Sequence, residues 1–362
     1  MDEAGDMLTL PPNLVGMAEK GDVSSNSAAA RLKETQRERK WQKMARVVSK
    51  GPHGCGMTFD FDTHSPKLIE RTWKGIPDRW RATAWHAFLL ASARKRGDSP
   101  SDEELIEAYN EYLTQSSPDD VQIDIDVPRT ISSHIMFRRR YRGGQRLLFH
   151  VLHAMSLHFA ETGYVQGMAA LAATLLAYYE EEKAFVMLAR LWDLRGLDKL
   201  YKEGFGGLIA ALDNFEKHWL GQGEIAAKLV RSSSLNPHLD TDDHHQNDLG
   251  IAPTTYGTRW YLTLFNYSIP FSAQLRVWDV FMLLGDNDQI RTPSEKPDST
   301  SFGTTLDILH ATSAALIDGM RDIILESDFE NAMKTLTSWI PIKDEDLFMR
   351  VTKAEYKVHK RK

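Results

Sequence analysis

No proline occurs between Pro128 and Pro237, and through that stretch apolar residues return at the three- and four-residue spacing of a buried helix face. Proline removes a backbone donor and collides with the preceding turn, so its absence leaves helices free to extend. Leu148, Val151, Leu152, Met155 and Phe159 make one such stripe, and Phe185, Leu188 and Trp192 make another. Beyond Pro237 the pattern resumes with Leu275, Trp278 and Met282, then with Leu309, Leu316, Met320 and Ile324. No convincing run alternates with the period of two that a half-buried strand needs. The chain therefore reads as all-α, with many medium-length helices joined by short polar turns. At 362 residues and 42% hydrophobic it can bury a sizeable core, as one large domain or two packed lobes. The longest apolar run, MAALAATLLAYY at 168–179, is too short to span a bilayer and reads as a core helix.

The ends and two inserts depart from this pattern. Residues 1–30 offer little that could build a core and are expected to lack structure. A leading segment, 31–70, opens with RLKETQRERKWQKMARVV, whose Trp41, Met44 and Val48 fall at helical spacing and predict a short helix packed on the main body. A loop with Gly51, Pro52, Gly54 and Gly56 follows. Residues 231–248 and 285–304 are rich in Pro, Ser and Asp without periodicity, and read as flexible surface loops. The tail at 346–362 ends in a basic helix with a solvated face. His150 and His153 are expected on the surface of their helix, and Arg276 and Asp279, within LRVWD, as a structural pair.

Charge and cysteine content exclude several functions. A formal net charge of -6 gives no global attraction to nucleic acid or anionic lipid, and the basic cluster FRRRYR at 137–142 is too short to overturn that. It is suited instead to the acidic face of a partner. The single cysteine, Cys55, permits no internal disulfide framework or cysteine zinc site, which fits a reducing, cytosolic compartment. The first residues lack the order of a signal peptide. His238, Asp240, Asp242, Asp243, His244 and His245 resemble a ligand set, but a loop gives them no fixed geometry, so no metal site is predicted.

The chain has no GxxxxGK[ST] loop and no GxGxxG after a strand, so any nucleotide it acts on is held by another protein. Two polar side chains suit that arrangement. Arg129 closes IDIDVPR, and arginine grips phosphate oxygens with a fixed fork of donors while staying charged. Pro128 is expected to push Val127 toward an extended conformation, so that Arg129 leaves a stiff loop or a first helical turn. Gln166 closes Tyr164-Val165-Gln166 after Gly163 and before the apolar helix that begins near Gly167. Its carbonyl can accept from an attacking water while its amide donates to a phosphate.

These residues carry a family resemblance. GIPDRWRATAW (75–85), IDIDVPRT (123–130) and GYVQGM (163–168) resemble, in order, the three signature motifs of the TBC-domain Rab GTPase-activating proteins. They supply RxxxW as Arg81 and Trp85, IxxDxxR as Ile123, Asp126 and Arg129, and YxQ as Tyr164 and Gln166. RWYLTLFNYSIPF (259–271) and LRVWDVFMLLG (275–285) resemble the family's C-terminal lobe. The resemblance implies an all-helical, two-lobed domain, here with an N-terminal lobe at 71–230 and a C-terminal lobe at 231–345. Its groove would receive a GTP-loaded Rab-family small GTPase, with Arg129 and Gln166 as catalytic fingers. GTP and Mg²⁺ would be carried by that partner, which would also recruit the chain peripherally to vesicle or endomembrane surfaces.

Arg81, Trp85, Asp126, Tyr164 and Gly167 would bind the GTPase or support the site. Arg81 and Trp85, four apart on one helix face, are expected to stack and to brace the groove. Asp126 would orient Arg129 or a nearby backbone rather than act as a base, since the water-positioning group here is a glutamine. Tyr164 reads equally as a core tyrosine and as one touching the GTPase. The alternative within the same family is an adaptor that grips a GTPase without accelerating hydrolysis, against which the intact Arg129 and Gln166 count.

Overall fold

A computed structural model describes residues 23–50, 57–130, 143–220, 224–229, 249–286 and 302–360. These fall into two compact units, one of residues 23–195 and 278–286, the other of residues 196–277 and 302–360. The division lies at Arg195/Gly196, not near residue 230. Gly196 ends a helix with a left-handed φ of 72°, where the chain can turn sharply. The polar stretch at 231–248 lies outside the described residues, and the break itself is at a glycine.

The first unit contains α1 (Val23–Gln42), β1 (Arg46–Lys50), β2 (Met57–Asp60), α2 (Pro66–Trp73), α3 (Asp78–Arg96), α4 (Asp102–Tyr112), α5 (Asp120–Asp126), α6 (Gly143–His158), α7 (Met168–Leu176) and α8 (Glu181–Leu194). Helix α8 is its hub, packed against α3, α4, α6 and α7. Phe185, Leu188 and Trp192 of its stripe are fully buried, as are Leu148, Val151 and Leu152 of α6. Helix ends follow local chemistry. A capping box joins Ser101 and Glu104 at the start of α4, and Gly97 closes α3 at φ 78° behind Arg94, Lys95 and Arg96, which favour the negative end of the helix dipole.

Two readings of the leading segment need correction. Helix α1 begins at Val23, inside the stretch expected to lack structure, and it stops at Gln42. Residues 46–50 then pair antiparallel with 57–60 in a two-stranded ribbon, so the described residues are helical apart from this small sheet. Val47 and Val48, β-branched and suited to strands, are exposed there rather than on a helix face. Trp41 is buried as predicted and meets Phe61 edge-on at 5.6 Å. Arg37 donates to the carbonyls of Lys74, at 2.9 Å, and Gly75, and Arg71 donates to the carbonyl of Lys40 at 2.8 Å, fastening α1 onto the end of α2. His153 is not on the surface either. It is 5% exposed, with Nδ1 2.5 Å from Asp120 Oδ1 and Nε2 3.0 Å from the Tyr112 carbonyl, because α5 and α4 cover that side of α6.

The second unit contains α9 (Leu197–Tyr201), α10 (Gly206–Asn214), a π-helical turn (Phe215–Trp219), α11 (Glu224–Leu229), α12 (Pro253–Leu262), α14 (Asp307–Gly319), α15 (Arg321–Glu326), α16 (Phe329–Thr337) and α17 (Glu345–Lys360). Between α12 and α14 lies α13 (Phe271–Leu284), divided between the units at Val277/Trp278. Helix α14 packs along α17, and α12 lies against α10 and α16. His310, on α14, is held 2.6 Å from the Tyr261 hydroxyl, and burial together with nearby His359 pulls its pKa down to about 3. It is therefore neutral and able to accept from that hydroxyl. Arg276 pairs with Asp346 at 3.0 Å, while Asp279 is engaged by Arg81, so the two residues expected to pair with each other have distant partners.

Candidate functional site

Helix α5 has only two turns and is fixed by one face. Ile123, Asp126 and Val127 are buried at the i, i+3, i+4 spacing of that face. Val127 is in the right-handed helical region (φ -53°, ψ -48°), not extended, and a 3₁₀ turn, Val127–Arg129, continues directly from α5. Pro128 is tolerated because the first positions of such a turn use no backbone donor and the ring's φ already fits. Thr130 locks the turn from both sides, its hydroxyl donating to the Asp126 carbonyl at 2.9 Å and its N–H to the Val127 carbonyl at 3.2 Å. Arg129 emerges exposed. Among the described residues its guanidinium makes no ion pair or side-chain hydrogen bond.

The second motif is anchored to the first. Tyr164 is 9% exposed, and its hydroxyl donates to Asp126 Oδ2 at 3.0 Å. Its N–H donates to Asp119 Oδ2 at 2.8 Å. Asp119 precedes α5, and its carboxylate serves this loop in place of capping its own helix. Gly163 allows the approach: it sits at φ 62°, and a Cβ there would lie 2.8 Å from Asp119 Oδ2. Gly167 takes φ 110° at the entrance to α7, a conformation disfavoured for a residue with a side chain. Gln166, between Tyr164 and α7, is exposed.

The Tyr164–Asp126 bond therefore ties together two short backbone segments. One carries Arg129, a single turn beyond Asp126, and the other carries Gln166, two residues beyond Tyr164. Tyr164 reads as a core residue whose hydroxyl has a partner. Tyr164→Phe should leave Asp126 without that donor and lower stability by about 2 kcal/mol, since hydrogen bonds to charged groups are worth roughly 1.5–3 kcal/mol. Denaturant unfolding checks this, and an unchanged midpoint would remove the bond's assigned role.

Arg81 and Trp85 form a second cluster around Asp279. Arg81 Nε and Trp85 Nε1 both donate to Asp279 Oδ1 at 2.9 Å, and the Ile76 N–H donates to Oδ2 at 2.8 Å. Arg81 Nη1 reaches Asp78 Oδ1 at 2.7 Å and the Tyr178 hydroxyl at 3.0 Å, and Nη2 reaches the Ile76 carbonyl at 3.0 Å. The expected stacking partner is thus wrong. The Arg81 guanidinium lies 5.7 Å from the centre of the Tyr178 ring, and Trp85 packs on Tyr178 and Trp278, because Asp279 draws both polar ends to itself. Burial pushes the Asp279 carboxyl up, while Arg81 and the two other donors pull it back. Burial opposes the Arg81 charge as well, but Asp279 more than compensates and holds the guanidinium above its ordinary pKa.

With its donors so fully engaged, Arg81 is a brace and not a group free to meet a ligand. Asp119 is the residue that sequence reasoning missed, whereas Asp279 was expected in a structural pair but with Arg276 in place of Arg81. The signal for Asp119 was its place in SSPDD just before α5, and for Asp279 the lone acid within an otherwise apolar helix face.

Residues 78–293 match the Rab-GTPase-TBC domain. The chain belongs to that family. A TBC domain-containing protein of Schizosaccharomyces pombe is 39% identical over 346 residues, which cover 95% of this chain and 72% of that protein. The Rab GTPase-activating protein tbc-11 of Caenorhabditis elegans is 29% identical over 76% of this chain, but the aligned part spans only 25% of its length. Among solved structures, the Ypt/Rab-GAP domain of Gyp1p superposes with a TM-score of 0.62 at 16% identity, covering 91% of this chain and 99% of that one. The flagellar RabGAP TBC domain of Chlamydomonas gives 0.58 at 19%, covering 96% and 98%. The family match begins at Asp78, so α1, the β-ribbon and α2 precede it, although they pack into the same unit as the TBC motifs.

The run at 238–245 and the FRRRYR cluster lie outside the described residues. Among the described residues no group of three or more His, Cys, Asp or Glu could hold a metal, and no helix is long and apolar enough to cross a membrane.

Proposed function

We propose that this TBC-domain chain accelerates GTP hydrolysis by a Rab-type small GTPase, supplying Arg129 and Gln166 to a nucleotide that the GTPase holds in its GTP-bound form. The observation that carries this reading is the pairing of two exposed side chains, an arginine and a glutamine, on backbone segments joined by the Tyr164–Asp126 bond. Such a joint fixes their spacing before a partner arrives, and phosphoryl transfer is catalysed mainly by positioning and charge neutralisation.

In the reaction a water oxygen bonds to the γ-phosphorus, and the bond from phosphorus to the β–γ bridging oxygen breaks, leaving GDP and phosphate. Negative charge grows on the bridging and γ oxygens. The Arg129 fork neutralises it by gripping two of those oxygens at once with its fixed set of donors. The Gln166 carbonyl accepts from the attacking water, and its amide donates to a γ oxygen. Mg²⁺ comes bound to the GTPase with the nucleotide. Acting on a membrane-attached Rab, the chain would work in vesicle traffic and be recruited peripherally through that partner.

The test is phosphate release from a panel of GTP-loaded Rab GTPases with and without the chain. Stimulation of at least one member is expected. Binding to a GTP-loaded member without stimulation of any would replace the activator with an adaptor.

A further inference from the structure

We infer that Val121 and Ile125, on the outer face of α5, dock the GTPase beside Arg129 and contribute to partner choice through an apolar contact. The inference rests on the activator reading above. Helix α5 is apolar on two sides: Ile123 is fully buried, whereas Val121 is 74% exposed and Ile125 44% exposed. Val121 and Ile125 stand at i, i+4 and so share one face, away from the face that holds the helix to its unit. Polar Gln122 and Asp124, also exposed, separate them in sequence, so the pair is not part of a continuous apolar run.

Folding gains little from side chains left in water, and single exposed apolar residues need no explanation. What distinguishes this pair is its place on the short helix that runs directly into the turn carrying Arg129. At about 1.5 Å of rise per residue in α5 and about 2 Å in the 3₁₀ turn, Ile125 lies about 7 Å and Val121 about 13 Å along the axis from Arg129. A specific interface covers about 800 Å² on each partner, a patch roughly 16 Å in radius. A GTPase whose nucleotide is reached by Arg129 therefore lays its own surface over both side chains. Left exposed in the free chain and covered in the complex, they favour a partner whose surface next to the nucleotide is itself apolar, and disfavour one that places a charge there.

The experiment is steady-state stimulation of a responsive Rab GTPase by the Val121→Ser/Ile125→Ser double variant, at low and high salt. The expected result is a rise of about tenfold in the concentration of chain giving half-maximal stimulation, with the rate at saturation kept, because docking contacts act on binding and not on the chemical step. The shift should be nearly independent of salt, as apolar contacts are not screened. Thermal unfolding should match the parent chain. A half-maximal concentration within twofold of the parent overturns the inference, and so does a fall in the saturated rate, which would assign the pair to holding Arg129. A parent chain that stimulates no GTPase overturns the activator reading, and this inference with it.

Discussion

Arg129→Ala should lower stimulated GTP hydrolysis by at least a hundredfold while leaving the chain folded. The two halves of that expectation have separate physical sources. A trans-supplied arginine is worth about 10³–10⁵ in rate because it neutralises charge that develops only in the transition state. The same side chain is exposed and, among the described residues, makes no ion pair or side-chain hydrogen bond, so its removal costs the fold little. Arg129→Lys should recover only a small part of the loss, since a point charge cannot span two oxygens as the planar fork does.

Gln166→Ala should act on the same step, so the double variant should fall well short of the product of the two single losses. Single-turnover phosphate release at saturating chain, beside a binding measurement, checks all of these. A folded Arg129→Ala protein with its stimulation intact would sink the proposed chemistry.

The elements legible in the sequence are those whose signal repeats locally. The stripes Leu148 to Met155 and Phe185 to Trp192 are helix faces because a buried face must return every three or four residues, and both are buried in α6 and α8. Signals without a period were harder to read. The ribbon of β1 and β2 is short and half-exposed, so it buries too little to impose alternation, and Val48, expected on a helix face, lies in β1. The right-handed conformation of Val127 went against the usual effect of a following proline because Asp126 and Thr130 hold the turn from both sides.

Arg129, Gln166, Arg81 and Trp85 stood out only as motifs in order. What each is attached to was not readable. Tyr164 bonds Asp119 across 45 residues and Ile76 bonds Asp279 across 203, and nothing in the neighbourhood of either aspartate encodes so distant a partner. That is why Arg81 and Trp85, expected to stack on each other, are instead joined through a carboxylate assigned to the wrong arginine.

Asp279→Ala should destabilise the first unit by about 3–5 kcal/mol, the cost of stripping one partner from a buried ion pair. Asp279 is fully buried and takes Arg81, the Trp85 indole N–H and the Ile76 N–H at once. Without it, a guanidinium only 7% exposed keeps its charge with its principal counter-ion gone. The penalty belongs to the orphaned charge more than to the pair, so removing both ends should cost less than removing one. Arg81→Leu/Asp279→Leu is expected to be more stable than Asp279→Ala, and urea unfolding of the two variants decides it. A double variant no better than the single would mean that the cluster is held by its shape and not by its charge.

Activity discriminates further. Asp279→Ala should lose stimulation together with structure, and recover it as the double variant refolds, because the cluster braces the unit that carries Arg129 and Gln166 without touching the nucleotide. Arg129→Ala should lose stimulation with its structure intact. The two arginines of the TBC motifs are thereby separable by experiment: Arg81 is spent inside the protein, and Arg129 is exposed, where the proposed reaction needs it.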